Sequence, residues 1–345
     1  MRSTELLTVS WKDNSVVMID QTKLPNKLEF VKCVTYEQVA DCIKNLIIRG
    51  APAIGVAAAM GLALAAVKSK VKTPDELIHE LDTAFKVLRS TRPTAINLFW
   101  ALERVMQKAR AQSSVKAIRE AVLNEALQMA QEDINVNKQM GSFGAALIDD
   151  GDVVLTHCNA GALATVAYGT ALGVLRAAKG QGKRINVIAT ETRPVLQGAR
   201  LTAFELKHDG IDVSVAPDTA VGSLMARGMI KKVIVGADRV LRTGHVFNKI
   251  GTYQVAILAN KHNIPFYVAA PLSSFDLKSD PEQVTVEERS FEEVISMGGK
   301  RVVPKGVRVF NPAFDITPPE LISGIITEKG VLTPPYDMSI KTVLG

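Results

Sequence analysis

Along the first third of the chain the apolar positions change period near residue 35. LLTVSW (6–11), SVVMID (15–20) and LEFVKC (28–33) are short runs rich in β-branched residues, with a Lys-Asp-Asn turn between the first two, which predicts strands. From Thr35 the spacing becomes helical. Thr35 caps a helix through about Ile47; RGAPAIG (49–55) then breaks the chain, and its proline opens the next helix in its first turn. Thr73-Pro74-Asp75-Glu76 starts a third helix with Thr73 as N-cap and acids in the first turn, interrupted at Ser90–Thr94. AINLFWALERVMQKARA is a further helix, and a long helical stretch covers about 115–148 before the turn at 149–152.

After 152 the pattern changes again. VVLTH, INVIAT, IDVSVA, KKVIVGA and IPFYVAA are continuous apolar runs. Helices are predicted between them over 160–178, 194–208, 219–229 and 250–262, the last preceded by a polar loop. Strands alternating with helices of this length indicate βαβ units and a parallel sheet covered on both faces. The expected fold is therefore α/β: a mostly helical N-terminal domain (1–125) followed by a Rossmann-like parallel-sheet domain (126–345). The segment 331–345 reads as a loose tail or a dimer contact.

Composition narrows the function. Only 5% of residues are aromatic, so Ala, Val, Leu and Ile must fill the core. The net charge of +6 is dispersed, and no nucleic-acid reader motif or aromatic-interleaved basic patch is present, so no nucleic acid is expected as partner. The apolar stretch 51–67 is at the lower limit for a membrane span and rich in Ala and Gly; it reads as a buried helix. Three cysteines without a CxxC pair, and five histidines without ligand spacing, predict neither a disulfide framework nor a metal site. Absence of a signal-peptide pattern and reduced thiols suggest the cytoplasm. With no P-loop and no GxGxxG after a strand, no cofactor is expected.

In an open parallel sheet, ligands bind beyond the carboxyl ends of the strands. Those ends carry His157-Cys158-Asn159, Thr190-Glu191-Thr192-Arg193, Pro217-Asp218-Thr219 and Asp238-Arg239. Cys158, between a strand and an expected helix N-terminus, is a candidate thiolate. Asp238, directly after a buried strand, is a candidate general acid or base. His157 reads as a buried, hydrogen-bonded core histidine, and Asp218 as either a cap or a ligand. Cys33 and Cys42 read as packing residues. Arg49-Gly50-Ala51-Pro52, Arg92-Pro93-Thr94 and Asn248-Lys249-Ile250-Gly251 each place a cation beside a helix start, a combination suited to an anionic small molecule.

The motifs RGAPAIG, RPTAINLFWA, THCNAGALAT, ETRP with QGARLT, GADRV with NKIGTY, IPFYVAAP and NPAFDITPPELI occur in this order, from about residue 20 to 335. The set resembles the 5-methylthioribose-1-phosphate isomerases of methionine salvage. The wider family also holds ribose-1,5-bisphosphate isomerases and the α, β and δ subunits of translation initiation factor 2B. The resemblance implies a homodimer and an aldose–ketose isomerase acting on a sugar phosphate without metal or redox cofactor. It implies Asp238 as proton donor and Cys158 as stabiliser of the transition state or helper in proton movement. It further implies Arg49, Gly50, Ala51, Arg92, Gln197, Asn248 and Lys249 as phosphate and sugar ligands; Gln197 comes from the resemblance alone. The chain departs from the family pattern at Thr219 and in the loop RVLRTGHVF after Asp238. A bisphosphate substrate would need a further basic cluster near C5, and a non-catalytic regulatory subunit would need neither Cys158 nor Asp238.

Overall fold

The computed structural model describes residues 5–92 and 95–344. The chain divides into two compact units, Met1–Lys138 with Gly161–Gly169, and Gln139–Ala160 with Thr170–Gly345.

In the first unit, β1 (Val9–Lys12), β2 (Ser15–Ile19) and β3 (Phe30–Cys33) form an antiparallel sheet. Asp13 and Asn14 join β1 to β2 with both φ near +50°, the left-handed pair that matches strand twist in a two-residue hairpin. The helices are α1 (Tyr36–Lys44), α2 (Ala51–Lys68), α3 (Pro74–Arg89), α4 (Ile96–Arg110) and α5 (Val115–Ala145). Thr35 caps α1 and Thr73 caps α3, as the sequence predicts, and the Glu76 side chain in turn accepts from the N–H of Thr73. Helix α2 is long and apolar enough to cross a membrane, yet it packs against α1, α3 and α4, and its Ala- and Gly-rich surface permits that approach from several sides. Cys33 and Cys42 are buried, and their sulfurs lie 3.5 Å apart as hydrogen-bonded thiols.

One half-buried carboxyl in this unit titrates far from its usual range. Asp133 on α5 accepts a hydrogen bond from the backbone N–H of Val166 (2.7 Å), but burial pushes its pKa up to about 7. A carboxyl raised in the folded state contributes stability that is full below about pH 3.8 and lost once the pH has risen through about 7. Asp133→Asn should therefore raise stability at pH 8 by on the order of 2 kcal/mol, a gain that vanishes below pH 4. Urea denaturation across this range checks it.

The second unit is built on a seven-stranded sheet. Its strands are β4 (Val153–Thr156), β5 (Asn186–Thr190), β6 (Asp212–Ala216) and β7 (Lys232–Val235), followed after an excursion by β10 (Phe266–Ala269), β15 (Gly324–Thr327) and β16 (Gly330–Leu332). Helices α6 (Ala171–Gly180), α7 (Ala203–His208), α8 (Val221–Ala226) and α9 (Thr252–Lys261) connect them. The spatial order is β16-β15-β10-β7-β4-β5-β6, parallel except for β16. From β4 the chain steps through β5 and β6 to one edge, then returns to the other side of β4 at β7. The direction reverses between β4 and β7, the Rossmann-type switch point.

Several elements differ from expectation. The helix expected over 160–178 begins only at Ala171 (α6); apart from a single 3-10 turn at Ala162–Ala164, residues 157–170 are irregular. The apolar spacing of GALATVAYGT suits a helix, but Gly169 has φ +84° and rests against the backbone of Gly161, where a Cβ would collide. Cys158 therefore does not sit at a helix N-terminus. The polar loop after Asp238 contains β8 (Arg239–Leu241) and β9 (Val246–Lys249). With β11 (Phe275–Asp276) and β14 (Phe314–Thr317) they make a second sheet in the order β11-β8-β9-β14. A short helix α10 (Glu292–Ile295) and the pair β12 (Ser296–Met297) and β13 (Lys300–Arg301) lie in the excursion before β14. Of the two readings of 331–345, a loose tail or a dimer contact, the first does not hold: α11 (Tyr336–Leu344) buries Tyr336 and Ile340 in the core of this unit. The expected domain boundary at 125/126 falls inside α5, whereas the compact units divide after Lys138.

Candidate active site

The ends of β4, β5, β6 and β9 are tied together by side chains of the loops that leave them. His157 is buried between Thr190 at the end of β5, whose Oγ1 lies 2.6 Å from Nδ1, and the carbonyl of Ile250 just after β9, 2.8 Å from Nε2. Burial lowers the imidazole pKa, and nearby Lys249 lowers it further, against the pull of the Ile250 hydrogen bond and of Asp218. The ring is therefore neutral. Because a carbonyl can only accept, Nε2 carries the proton and Nδ1 accepts from the Thr190 hydroxyl. Gly251, at φ +101°, leaves room for this ring, since a Cβ there would lie 3.0 Å from its Cε1. The structure thus makes His157 a strut, as the sequence reading has it.

Cys158 is 8% exposed and adopts φ +62°, a region that residues with side chains seldom occupy. Its N–H donates to Thr192 Oγ1 (2.9 Å), and its carbonyl accepts from Thr202 Oγ1 (2.6 Å). Thr192, itself at φ +64°, donates its N–H to Asp218 Oδ1 (2.8 Å), and the N–H of Arg193 donates to Asp218 Oδ2 (2.7 Å). Asp218 therefore fixes the turn after β5, a role not weighed in the sequence reading. Thr192 and Thr202 were not singled out there either. For Thr192 the available signal is a hydroxyl at a strand end, specific only once the strand order is known; Thr202, at the end of the turn before α7, carries no such signal.

Asp238 follows β7, the hydrogen-bonded neighbour of β4, and so leaves the sheet from the strand next to the one that leads to Cys158. Gly236 lets this happen, because a Cβ there would press on Ala160 Cβ at 2.6 Å. The N–H of Asp238 bonds to the Phe247 carbonyl (2.9 Å), which anchors the half-buried aspartate to β9. Arg239 pairs with Asp276 at 3.2 Å; burial lowers its pKa, and the carboxylates of Asp276 and Asp238 oppose that shift.

Gln197 precedes a π-helical turn (Gly198–Thr202) that leads into α7. Its side chain is buried, and its Oε1 has no hydrogen-bond partner among the described residues. On β9, Asn248 is buried and donates to Thr252 Oγ1 (3.0 Å), while Lys249 places its Nζ 4.9 Å from the centroid of the Phe314 ring. Opposite Asn248, Asp315 accepts the N–H groups of Gly251 (2.7 Å) and Tyr253 (3.1 Å), capping α9; burial nevertheless raises its pKa to about 6.

The second unit thus holds Cys158, Gln197, Asp238, Asn248 and Lys249 on the carboxyl-end loops of one sheet and its adjoining hairpin. Arg49, Gly50, Ala51 and Arg92 belong to the first unit. There Gly50, at φ +93°, is the N-cap of α2 with no capping side chain, and its missing Cβ admits Ala164, whose Cβ would be 2.7 Å away. Arg49 and Arg92 are half-buried; Pro93 and Thr94 lie outside the described residues. Among the described residues no group of three or more His, Cys, Asp or Glu is placed to hold a metal ion.

Residues 47–334 match the model of the initiation factor 2 subunit family. A methylthioribose-1-phosphate isomerase from Thermotoga maritima is 54% identical over 339 residues, 98% of each chain. A crystal structure of 5-methylthioribose 1-phosphate isomerase from Pyrococcus horikoshii OT3 is similar at a TM-score of 0.93 and 44% identity, covering 99% of this chain and 97% of that one. A crystal structure described as translation initiation factor eIF-2B, subunit delta, from A. fulgidus is similar at 0.89 and 52%, covering 98% and 99%. With a match that spans most of its length and carries the loops bearing Cys158 and Asp238, the chain belongs to the initiation factor 2 subunit family.

Proposed function

We infer that the chain is an aldose–ketose isomerase that converts 5-methylthioribose 1-phosphate into 5-methylthioribulose 1-phosphate. One observation carries the chemistry: a thiol and a carboxyl leave adjacent parallel strands at the switch point of the sheet, the place where such folds bind ligands. The names of the relatives supply the substrate.

A sugar phosphorylated on its anomeric oxygen cannot open to a free aldehyde, so the ring must be opened with the phosphate in place. In this reading Asp238 donates a proton to the ring oxygen as the bond from C1 to that oxygen breaks. Hydrogen then moves from C2 to C1, and the C2 hydroxyl gives up its proton to restore the carboxyl, so no atom is gained or lost. Cys158, 92% buried by its 8% exposure, supports the charge that develops between C1 and C2 in a site from which water is withdrawn. The orphaned Oε1 of Gln197 is suited to accept a hydrogen bond from a sugar hydroxyl. Lys249 and Asn248 supply a cation and an amide on one strand for the phosphate or the ketone oxygen. The resemblance adds Arg49, Gly50, Ala51 and Arg92 to the ligands. We also propose a homodimer located in the cytoplasm; three free cysteines and the core position of α2 agree with the latter.

A regulatory role has one observation in its favour, the 52% identity to the A. fulgidus structure described as an initiation factor subunit. The experiment that separates the readings is turnover of purified protein on 5-methylthioribose 1-phosphate and on ribose 1,5-bisphosphate. Turnover of the methylthio sugar with little on the bisphosphate is expected. Preference for the bisphosphate would reassign the substrate, and no turnover of either by folded protein would favour the regulatory role.

A further inference from the structure

The backbone of Cys158 is gripped from a second direction. Thr202, fully buried, donates its hydroxyl to the Cys158 carbonyl (2.6 Å) and accepts from Asn159 Nδ2 (3.1 Å). The same amide nitrogen donates to Glu205 Oε1 (2.9 Å). Glu205 is inaccessible to solvent, and its other oxygen receives Arg176 Nη2 at 2.7 Å, while Arg176 Nε donates to Asp209 (2.7 Å). Thr202 ends the π-helical turn that begins at Gly198, and Glu205 follows one turn later on the same face. A hydroxyl, an amide and a buried ion pair thus run in one line from the core to the backbone of the thiol.

Stability does not explain this line. A buried ion pair seldom stabilises a fold more than apolar packing of the same volume would. A left-handed backbone at a residue with a side chain persists only where its surroundings over-determine it, and such positions cluster at active sites. Cys158 is at φ +62°, with one hydrogen bond on each side of its α-carbon.

We propose that Thr202, backed by Asn159, Glu205 and Arg176, is a positioning residue that holds Cys158 in its left-handed conformation and thereby aims the thiol at the substrate. The inference rests on the isomerase reading for its catalytic consequence, but the aim of the thiol can be measured without substrate.

The test compares Thr202→Val, which keeps the shape and removes the hydroxyl, with Thr202→Ser, which keeps the hydroxyl. Alkylation of Cys158 by iodoacetamide is followed by peptide mass spectrometry as a function of pH, alongside kcat and KM. In Thr202→Val the Cys158 alkylation rate should change by about fivefold or more, because presentation of the thiol sets its reactivity. Buried Cys33 and Cys42 should stay as slow as in the wild type, which separates a local effect from general loosening. The kcat of this variant should fall on the order of 10²-fold with little change in KM, and Thr202→Ser should restore both readouts. Wild-type alkylation and kcat in Thr202→Val, or a Thr202→Ser variant as impaired as Thr202→Val, would overturn the proposal. If Thr202→Val does not fold, Asn159→Ser, too short to span Thr202 and Glu205, should lose about tenfold in kcat with a matching change in alkylation; wild-type behaviour there overturns the proposal equally. Should the wild type turn over no pentose 1-phosphate, the isomerase reading fails, and the alkylation comparison still decides the positioning role.

Discussion

Asp238→Asn is expected to lower kcat by about 10²–10⁴-fold while substrate binding survives, because an amide cannot deliver the proton that ring opening requires. The variant should fold: the Asp238 main-chain bond to Phe247 does not involve the side chain, and the half-buried carboxylate is close in size to the amide that replaces it. Cys158→Ser should give a comparable loss, since a hydroxyl is less polarisable and far less acidic than a thiol. Binding is checked by displacement of labelled product and turnover by product formation. Wild-type kcat in either variant would remove that residue from the chemistry. A large rise in KM at constant kcat would instead make it a ligand.

The second large effect is on the scaffold. Gly198→Ala should destabilise the protein by about 3 kcal/mol or more, at the upper end for overpacking. A Cβ at this position would lie inside the contact distance of the Thr190 carbonyl oxygen and 2.9 Å from Thr192 Oγ1. Neither can give way easily. Thr190 is the last residue of β5, paired with Ala216 of β6, and its hydroxyl holds His157; Thr192 carries the N–H of Cys158. Gly180→Ala is the control, because a Cβ there meets nothing within 4 Å, and its stability should be unchanged or slightly higher. Urea midpoints compare the two. Any Gly198→Ala protein that still folds should show a raised KM, because Gln197 is the adjacent residue.

Much of this architecture can be read from the chain. The alternation of Val- and Ile-rich runs with helices after residue 152 identifies the parallel sheet, and Cys158 and Asp238 stand out because each directly follows such a run. The helix start at 49–51 is visible in an arginine and a glycine before a proline-opened helix. What escaped has a common cause, in that long-range partners override local pattern. Residues 160–170 have helical spacing, yet Thr8 binds the carbonyls of both Ala162 and Val166 by its hydroxyl and its amide, and Gln21 binds that of Leu163. The hairpin of β8 and β9 is short, and gains strand character by pairing with β11 and β14, more than 30 residues further on. The network from Cys158 through Thr202 to Arg176 joins residues whose types are unremarkable until the fold lines them up.

The nine residues from Gly161 to Gly169 count with the N-terminal unit although the chain on both sides of them counts with the C-terminal one. Dissection of the protein must respect this. A fragment ending at Lys138 would lack the carbonyls that Thr8 and Gln21 bind and the N–H of Val166 that Asp133 accepts. Chimeras that exchange the N-terminal part between relatives at a single crossover after Lys138 will pair one parent's helices with the other parent's 161–169. To inherit a self-consistent first unit, a recombinant must take that short piece from the same parent as residues 5–138, and if 139–160 is to stay with the second unit this makes it a three-crossover problem at the level of the gene.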